Sequence, residues 1–340
     1  MPILFAVFAA VTALVSDLGP HVVWGLFAAP AYALSAVLRR TWVAGAGAIV
    51  LPLAVLVALE RAQPEVAVVR RSGELLLSAG TPYLSPEQLA GATYESYNPY
   101  LPGMALFGVP GFDPRLLFGA FILVALGWKS PLLTSPVVAL PLVVGGDDLP
   151  VIGLVCAAFA LVLQGRVTPA GLVLGFAATL KATAWPALFV CLALVVARRA
   201  GAGRFCAWAG AVVTVGVAFP VAADPGGMFE NVVAFPLGMA GVESPAGSPM
   251  PGHLLAGAGS YGHAAAVVSL GLAGAAMAVS LVVRPPADPR GAAYRLALGL
   301  TLAALLMPAS RWGYLVYPAV LVFWARSHVH EKEPELCLAA

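Results

Sequence analysis

AGLVLGFAATLKATAWPALFVCLALVVARRAGAGR, residues 170–204, can form one helix or two, and the topology of the whole chain turns on which. It is apolar on every side of any helix it forms, apart from Lys181 and the basic cluster at its end. As one helix it crosses a membrane once; broken between Lys181 and Pro186, it crosses twice. The basic residues choose between these. With the N-terminus inside and a break near Lys181, all but six of the eighteen Lys and Arg residues fall on the inner side, as the positive-inside rule requires. The six outside are Arg61, Arg70, Arg71, Arg115, Lys181 and Arg311. An unbroken segment carries ARRAGAGR outside and inverts the topology on one side of it. The sequence therefore predicts two helices, 168–182 and 184–197.

The rest of the chain is equally apolar. Of 340 residues, 61% are hydrophobic and 10% charged, and the mean hydropathy is +0.92. A soluble domain carries nearer a quarter of charged residues. Apolar runs long enough for ~30 Å of hydrocarbon predict further spans at 3–17, 20–38, 42–59, 113–128, 131–144, 147–163, 203–222, 262–283, 291–307 and 311–326. These runs do not alternate with period two, which excludes an outer-membrane barrel. The N-terminus has no basic n-region or cleavage site and reads as a first membrane helix. The expected fold is an all-α polytopic bundle of about twelve transmembrane helices. It forms one integral membrane domain over 1–326, with both termini cytoplasmic and a cytoplasmic tail at 327–340.

Two larger outer loops interrupt this pattern, 60–112 and 223–261. In the first, VAVVRRSGELLLSAG reads as an interfacial amphipathic helix, with Val and Leu facing the lipid and Arg70, Arg71 and Glu74 facing out. YNPYLPGM, carrying Tyr97, Asn98 and Tyr100, is a proline-stiffened turn back to the membrane. The acidic residues gather outside; only Asp288 and the three glutamates of the tail lie inside. Acids contribute little to topology, so a carboxylate-lined outer face is one cause and a solvated surface the other.

No phosphate-binding glycine loop, HExxH, zinc spacing or GxSxG elbow is present, and the four cysteines form no framework. What remains is a set of ionisable residues at the outer helix ends. Glu65 follows Pro64 at the dielectric boundary, where a carboxylate can be held beside substrate as a general base. Glu74 has Arg70 and Arg71 at helical spacing, Glu60 is placed to pair with Arg61 or headgroups, and Glu87 and Glu95 sit among turn residues. Asp147 and Asp148 in GGDDLP begin a span, where a capping role competes with a substrate or metal contact. Lys181 inside an apolar stretch is a functional hypothesis by default, with snorkelling as the alternative. Arg311 also runs against the charge rule. The two cations suit an anionic headgroup, a phosphate above all, and His253 is a further candidate beside them.

PEVAVV, LLLSAGTPYL, YNPYLPGMALFG, GGDDLPVIGLVCAAFALVLQGR, AGLVLGFAATLKATAWPALF and PASRWGYLVYP together resemble the GT-C membrane glycosyltransferases. The branch they resemble most is that of the polyprenyl-phosphate-mannose-dependent mannosyltransferase-like proteins of bacterial envelopes. The resemblance runs from about Glu65 to Tyr317. It implies a helical bundle in the bacterial plasma membrane, a catalytic carboxylate in the first large outer loop and inverting transfer from a lipid-phosphate sugar. Glu65 matches the catalytic position, and Lys181 matches a lysine often followed by proline. Glutamate stands where the family usually has aspartate, and the loop follows the third helix rather than the first.

The expected roles are then Glu65 as base, Lys181 and Arg311 on the donor phosphate, and Asp147, Asp148, Tyr97, Asn98, Tyr100 and His253 on substrate. The expected partners are a polyprenyl-phosphate-linked sugar, a lipid or glycan acceptor and membrane lipids. No nucleic acid, cofactor or obligatory metal is expected. The competing readings are a secondary transporter or lipid flippase, which needs a second broken helix, and a non-catalytic membrane scaffold.

Overall fold

A computed structural model of the protein describes every residue except Lys129, Leu237, Gly238, Glu243, Ser244 and 328–340. The described residues are helical with no strand, and a helix stands in each of the twelve expected segments. Gly19–Leu38, Thr41–Ala58, Ala202–Ala223 and Ser260–Val283 are long and apolar enough to cross a membrane, and five apolar helices are shorter. Contacts gather the chain into two units. One is Met1–Pro82 with Ala105–Gly153; the other is Tyr83–Met104 with Leu154 onward.

The first unit holds α1 (Pro2–Val15), α2 (Gly19–Leu38), α3 (Thr41–Ala58), α4 (Pro64–Ala79), α5 (Pro114–Leu126) and α6 (Pro136–Val144). Gly25 allows α1 and α2 to touch: a Cβ there would lie 2.5 Å from the Ala9 carbonyl oxygen. Helix α3 carries a π turn at Ala46–Val50, directly before Pro52. Proline has no N–H to give the carbonyl four residues back, here that of Ala48. The buried Trp24 indole donates to it instead, at 2.9 Å.

Two expectations need correction in this unit. The helix in the first loop begins at Pro64, so Glu65 sits in its first turn. Its buried residues are Val66, Val68, Val69, Ser72 and Gly73, packed on protein, whereas Leu77 is 69% exposed. Gly73 and Gly108 permit the contact, because a Cβ on Gly73 would strike the Gly108–Val109 backbone. The buried stripe therefore answers the 108–109 chain, and the Leu-rich end does not share it. The span expected at 131–144 is helical only over Pro136–Val144. Pro136 bars Ser135 from helical backbone, and Ser135 is extended at φ −74°, ψ 149°.

Helix α7 (Leu149–Leu163) begins in the first unit and ends in the second. The second unit continues with α8 (Val167–Leu180), α9 (Trp185–Ala197), α10 (Ala202–Ala223), α11 (Ser260–Val283), α12 (Pro289–Leu306) and α13 (Val316–Ser327). Gly171 and Gly175, one helical turn apart, let α8 meet α10: Cβ atoms there would lie 2.8 Å from the carbonyl oxygens of Phe205 and Ala209. Small residues are what bring helices this close in a membrane. Lys181 is extended, at φ −149°, ψ 147°, and ends α8. The deciding stretch is thus two helices, as the charges require. A 3₁₀ turn at Trp312–Leu315 precedes α13, which runs to Ser327. The rest of the expected tail lies outside the described residues.

Candidate functional site

The polar residues form one constellation in each unit. In the first unit they collect where α1, α3 and α6 end and α2, α4, α5 and α7 begin. Pro64 opens α4 with its ring fitted to the first helical position, which puts Glu65 among the N-terminal amides, where a carboxylate is favoured. The Gln63 amide N–H donates to the Val144 carbonyl at 2.8 Å, and Gly145, at φ +128°, lies against Gln63 and Val66. The turn bearing Asp147 and Asp148 is thereby held against the first turn of α4. Asp147 is 5% exposed, and Glu65 Oε2 and Asp147 Oδ2 are both shielded from solvent. The Asp148 carbonyl accepts from Ile152 N–H at 3.0 Å, as its place at the start of α7 demands.

His21 joins this group. Its Nε2 lies 2.7 Å from Gln63 Nε2 and its Nδ1 3.3 Å from Ser16 Oγ. Glu65 is near enough to bear electrostatically on the ring. Sequence reading passed over His21 because it sits in an apolar helix whose neighbours give no motif. Only the i, i+42 approach to Gln63 marks it.

Arg115 was grouped with the outer cations; in the structure it is the closed centre of the unit. It is 0% exposed. Its Nε and Nη2 meet Asp113 at 2.9 and 2.7 Å, and Nη1 donates to the carbonyls of Val143 and Arg61 at 2.8 and 3.1 Å. One guanidinium so ties the end of α3, the start of α5 and the end of α6. Burial pushes the Asp113 carboxyl up, but the Arg115 hydrogen bonds and charge, with Arg70 at 4.0 Å, hold it below its ordinary value.

The second constellation surrounds the Lys181 break. The turn 97–104 lies on it: Leu101 N–H donates to the Leu180 carbonyl at 3.0 Å, satisfying an end group that α8 leaves open. Lys181 Nζ stands 5.0 Å from the centre of the Tyr100 ring. Tyr97 stacks on Phe235, with ring centres 4.6 Å apart. The Asn98 side chain turns back to the Tyr100 N–H at 3.1 Å. All three residues of this turn are buried.

Thr183 Oγ1 lies 2.7 Å from the Tyr317 hydroxyl, which joins the break to the start of α13. Just before α13, Ser310 exchanges backbone bonds with Ala246 and Ser248 at 2.9 Å each. His253 Nδ1 is 2.9 Å from the Pro308 carbonyl oxygen. Arg311, extended and half-buried, is held by this clamp. The structure therefore brings Lys181 to Tyr100, and Arg311 to the segment that carries His253. Glu65, Asp147 and Asp148 belong to the first unit. Among the described residues, no group of three or more His, Cys, Asp or Glu side chains is gathered to hold a metal ion.

The model of the family described as glycosyltransferase family 87, a GT-C-type family, matches residues 104–308. The match includes Asp147, Asp148, Lys181 and His253. No curated protein and no solved structure gives a significant match.

Proposed function

The chain belongs to glycosyltransferase family 87, and from that premise we propose that it moves a sugar, mannose in this reading, from a polyprenyl-phosphate donor to an envelope lipid or glycan. An acceptor hydroxyl oxygen attacks the anomeric carbon while the bond from that carbon to the phosphate oxygen breaks. The electron pair leaves with polyprenyl phosphate, the hydroxyl proton goes to Glu65, and the anomeric centre inverts. Lys181 and Arg311 hold the phosphate as its charge grows, so electrostatic stabilisation replaces a general acid. Asp147 and Asp148 bind sugar hydroxyls or the acceptor, with the Tyr97–Tyr100 turn and His253 around the substrate.

The observation that carries the donor assignment is the Lys181 break. Two apolar helices meet at a cation set over an aromatic face, an arrangement that favours an ammonium at that point. The decisive experiment incubates the protein in nanodiscs with radiolabelled polyprenyl-phosphate mannose and a membrane lipid extract. Release of polyprenyl phosphate with labelled product supports the reading. Transfer only from a nucleotide sugar would sink it. Glu65→Gln keeps the side chain's shape and removes the proton acceptor, so transfer falls ~10²–10⁴-fold with donor binding intact; undiminished transfer moves the base elsewhere.

A further inference from the structure

We propose that Asn231 is a positioning residue for Lys181, setting through Asn98 and Tyr100 the aromatic face on which the ammonium rests. The inference rests on the reading of Lys181 as the donor-phosphate contact.

Asn231 lies in the second long loop, inside a π turn at Phe229–Ala234, a geometry that recurs at functional sites. It is 0% exposed. Its side chain makes three hydrogen bonds to backbone: Nδ2 donates to the carbonyls of Leu84 at 3.0 Å and Gly227 at 2.8 Å, and Oδ1 accepts from Asn98 N–H at 2.8 Å. A buried amide is costly unless fully bonded. Tyr97 on Phe235 shows that apolar packing fills the neighbouring space. What an amide adds there is geometry, because it pins two points of the first loop, Leu84 and Asn98, to the second.

The constraint passes on without a gap. Asn98, fixed by Asn231, accepts from Tyr100 N–H at 3.1 Å. The Tyr100 carbonyl accepts from the Tyr83 hydroxyl at 2.9 Å. The next amide, Leu101, donates to the last carbonyl of α8, one residue before Lys181. Tyr100 is thus held on both sides of its Cα, and its ring is the surface 5.0 Å below Nζ. Loss of Asn231 releases the first link, and an ammonium displaced by about 1 Å loses much of its advantage in a preorganised site.

The test is a double-mutant cycle in nanodiscs, reading the Kd for a synthetic polyprenyl phosphate beside that for the corresponding polyprenol. Asn231→Ala is expected to weaken phosphate binding about tenfold, to leave polyprenol binding unchanged, and to add nothing in a Lys181→Met background. Weakened polyprenyl phosphate binding in Lys181→Met with wild-type binding in Asn231→Ala overturns the inference and leaves the phosphate reading standing. Equal losses from Asn231→Ala in both backgrounds do the same. Wild-type phosphate binding in Lys181→Met overturns the phosphate reading itself, and the inference with it. If Asn231→Ala does not reach the membrane, Tyr83→Phe, which removes the bond to the Tyr100 carbonyl, decides on the same outcomes.

Discussion

Arg115 and Lys181 are both cations set among apolar helices, one in each unit, and they are stabilised in opposite ways. Arg115 is answered by the carboxylate two residues before it and by two helix-end carbonyls. Its charge is cancelled and its guanidinium sealed. Lys181 is half-buried, at an extended break, with a tyrosine face beneath its ammonium. A ring quadrupole attracts a cation through its face. The contrast teaches that apolar surroundings alone do not mark a binding cation. The first arrangement ties helix ends together, and the second stands at a half-buried break, where we propose that an anion binds.

The largest effect is expected from Arg115→Met. It leaves Asp113 buried without its main partner, so destabilisation of about 3–5 kcal/mol is expected, read as loss of the folded peak or a steep fall in melting temperature in detergent. A variant as stable as the parent would show that Arg115 is not the structural member of the pair. Lys181→Met should behave in the reverse sense. Melting changes little, while affinity for polyprenyl phosphate falls by about 1.5–3 kcal/mol, the range for a hydrogen bond to a charged group. Arg311→Gln should fall in the same range. Unchanged affinity in both removes the phosphate site.

A pH series sharpens the first half of the contrast. The folded-state Asp113 carboxyl lies below its ordinary value, so its stabilising contribution is fully present above the unfolded-state pKa, ~3.9. It is lost as pH falls from there through the depressed folded value. Melting curves should therefore show an acid limb below about pH 4 that is diminished in Asp113→Asn. An unaltered limb would assign it to other carboxylates. This effect is the smallest of the set, because burial of Asp113 opposes the Arg115 contribution.

The sequence was most readable where one physical term dominates. The split of 170–204 follows from charge placement, and Lys181 falls at the break, which fits the cost of carrying an ammonium through hydrocarbon. Glu65, Asp147 and Asp148 were legible as acids at helix starts, and the structure gathers them at one end of the first unit. His21, Gln63 and Asn231 were not, since each is defined by partners 42 to 147 residues away. Arg115 was legible as a cation at a helix end but not as a buried one. Its Asp113 partner is two residues away, but the Val143 and Arg61 carbonyls that seal it come from α6 and from the chain that follows α3.

The class of the protein was readable in the sequence alone: helices in every apolar segment, the break at Lys181, and the GT-C resemblance, which the family match bears out. Hydropathy and charge act locally and additively along the chain, so they survive reading one residue at a time. The tertiary structure decided which polar groups are spent on each other. Trp24 answers the carbonyl that Pro52 leaves open, Arg115 is closed by Asp113, and Asn231 is committed to the turn beneath Lys181. Those assignments depend on which backbone ends meet when helices pack, and hydrogen bonds carry that information over a few ångströms of space rather than along the sequence.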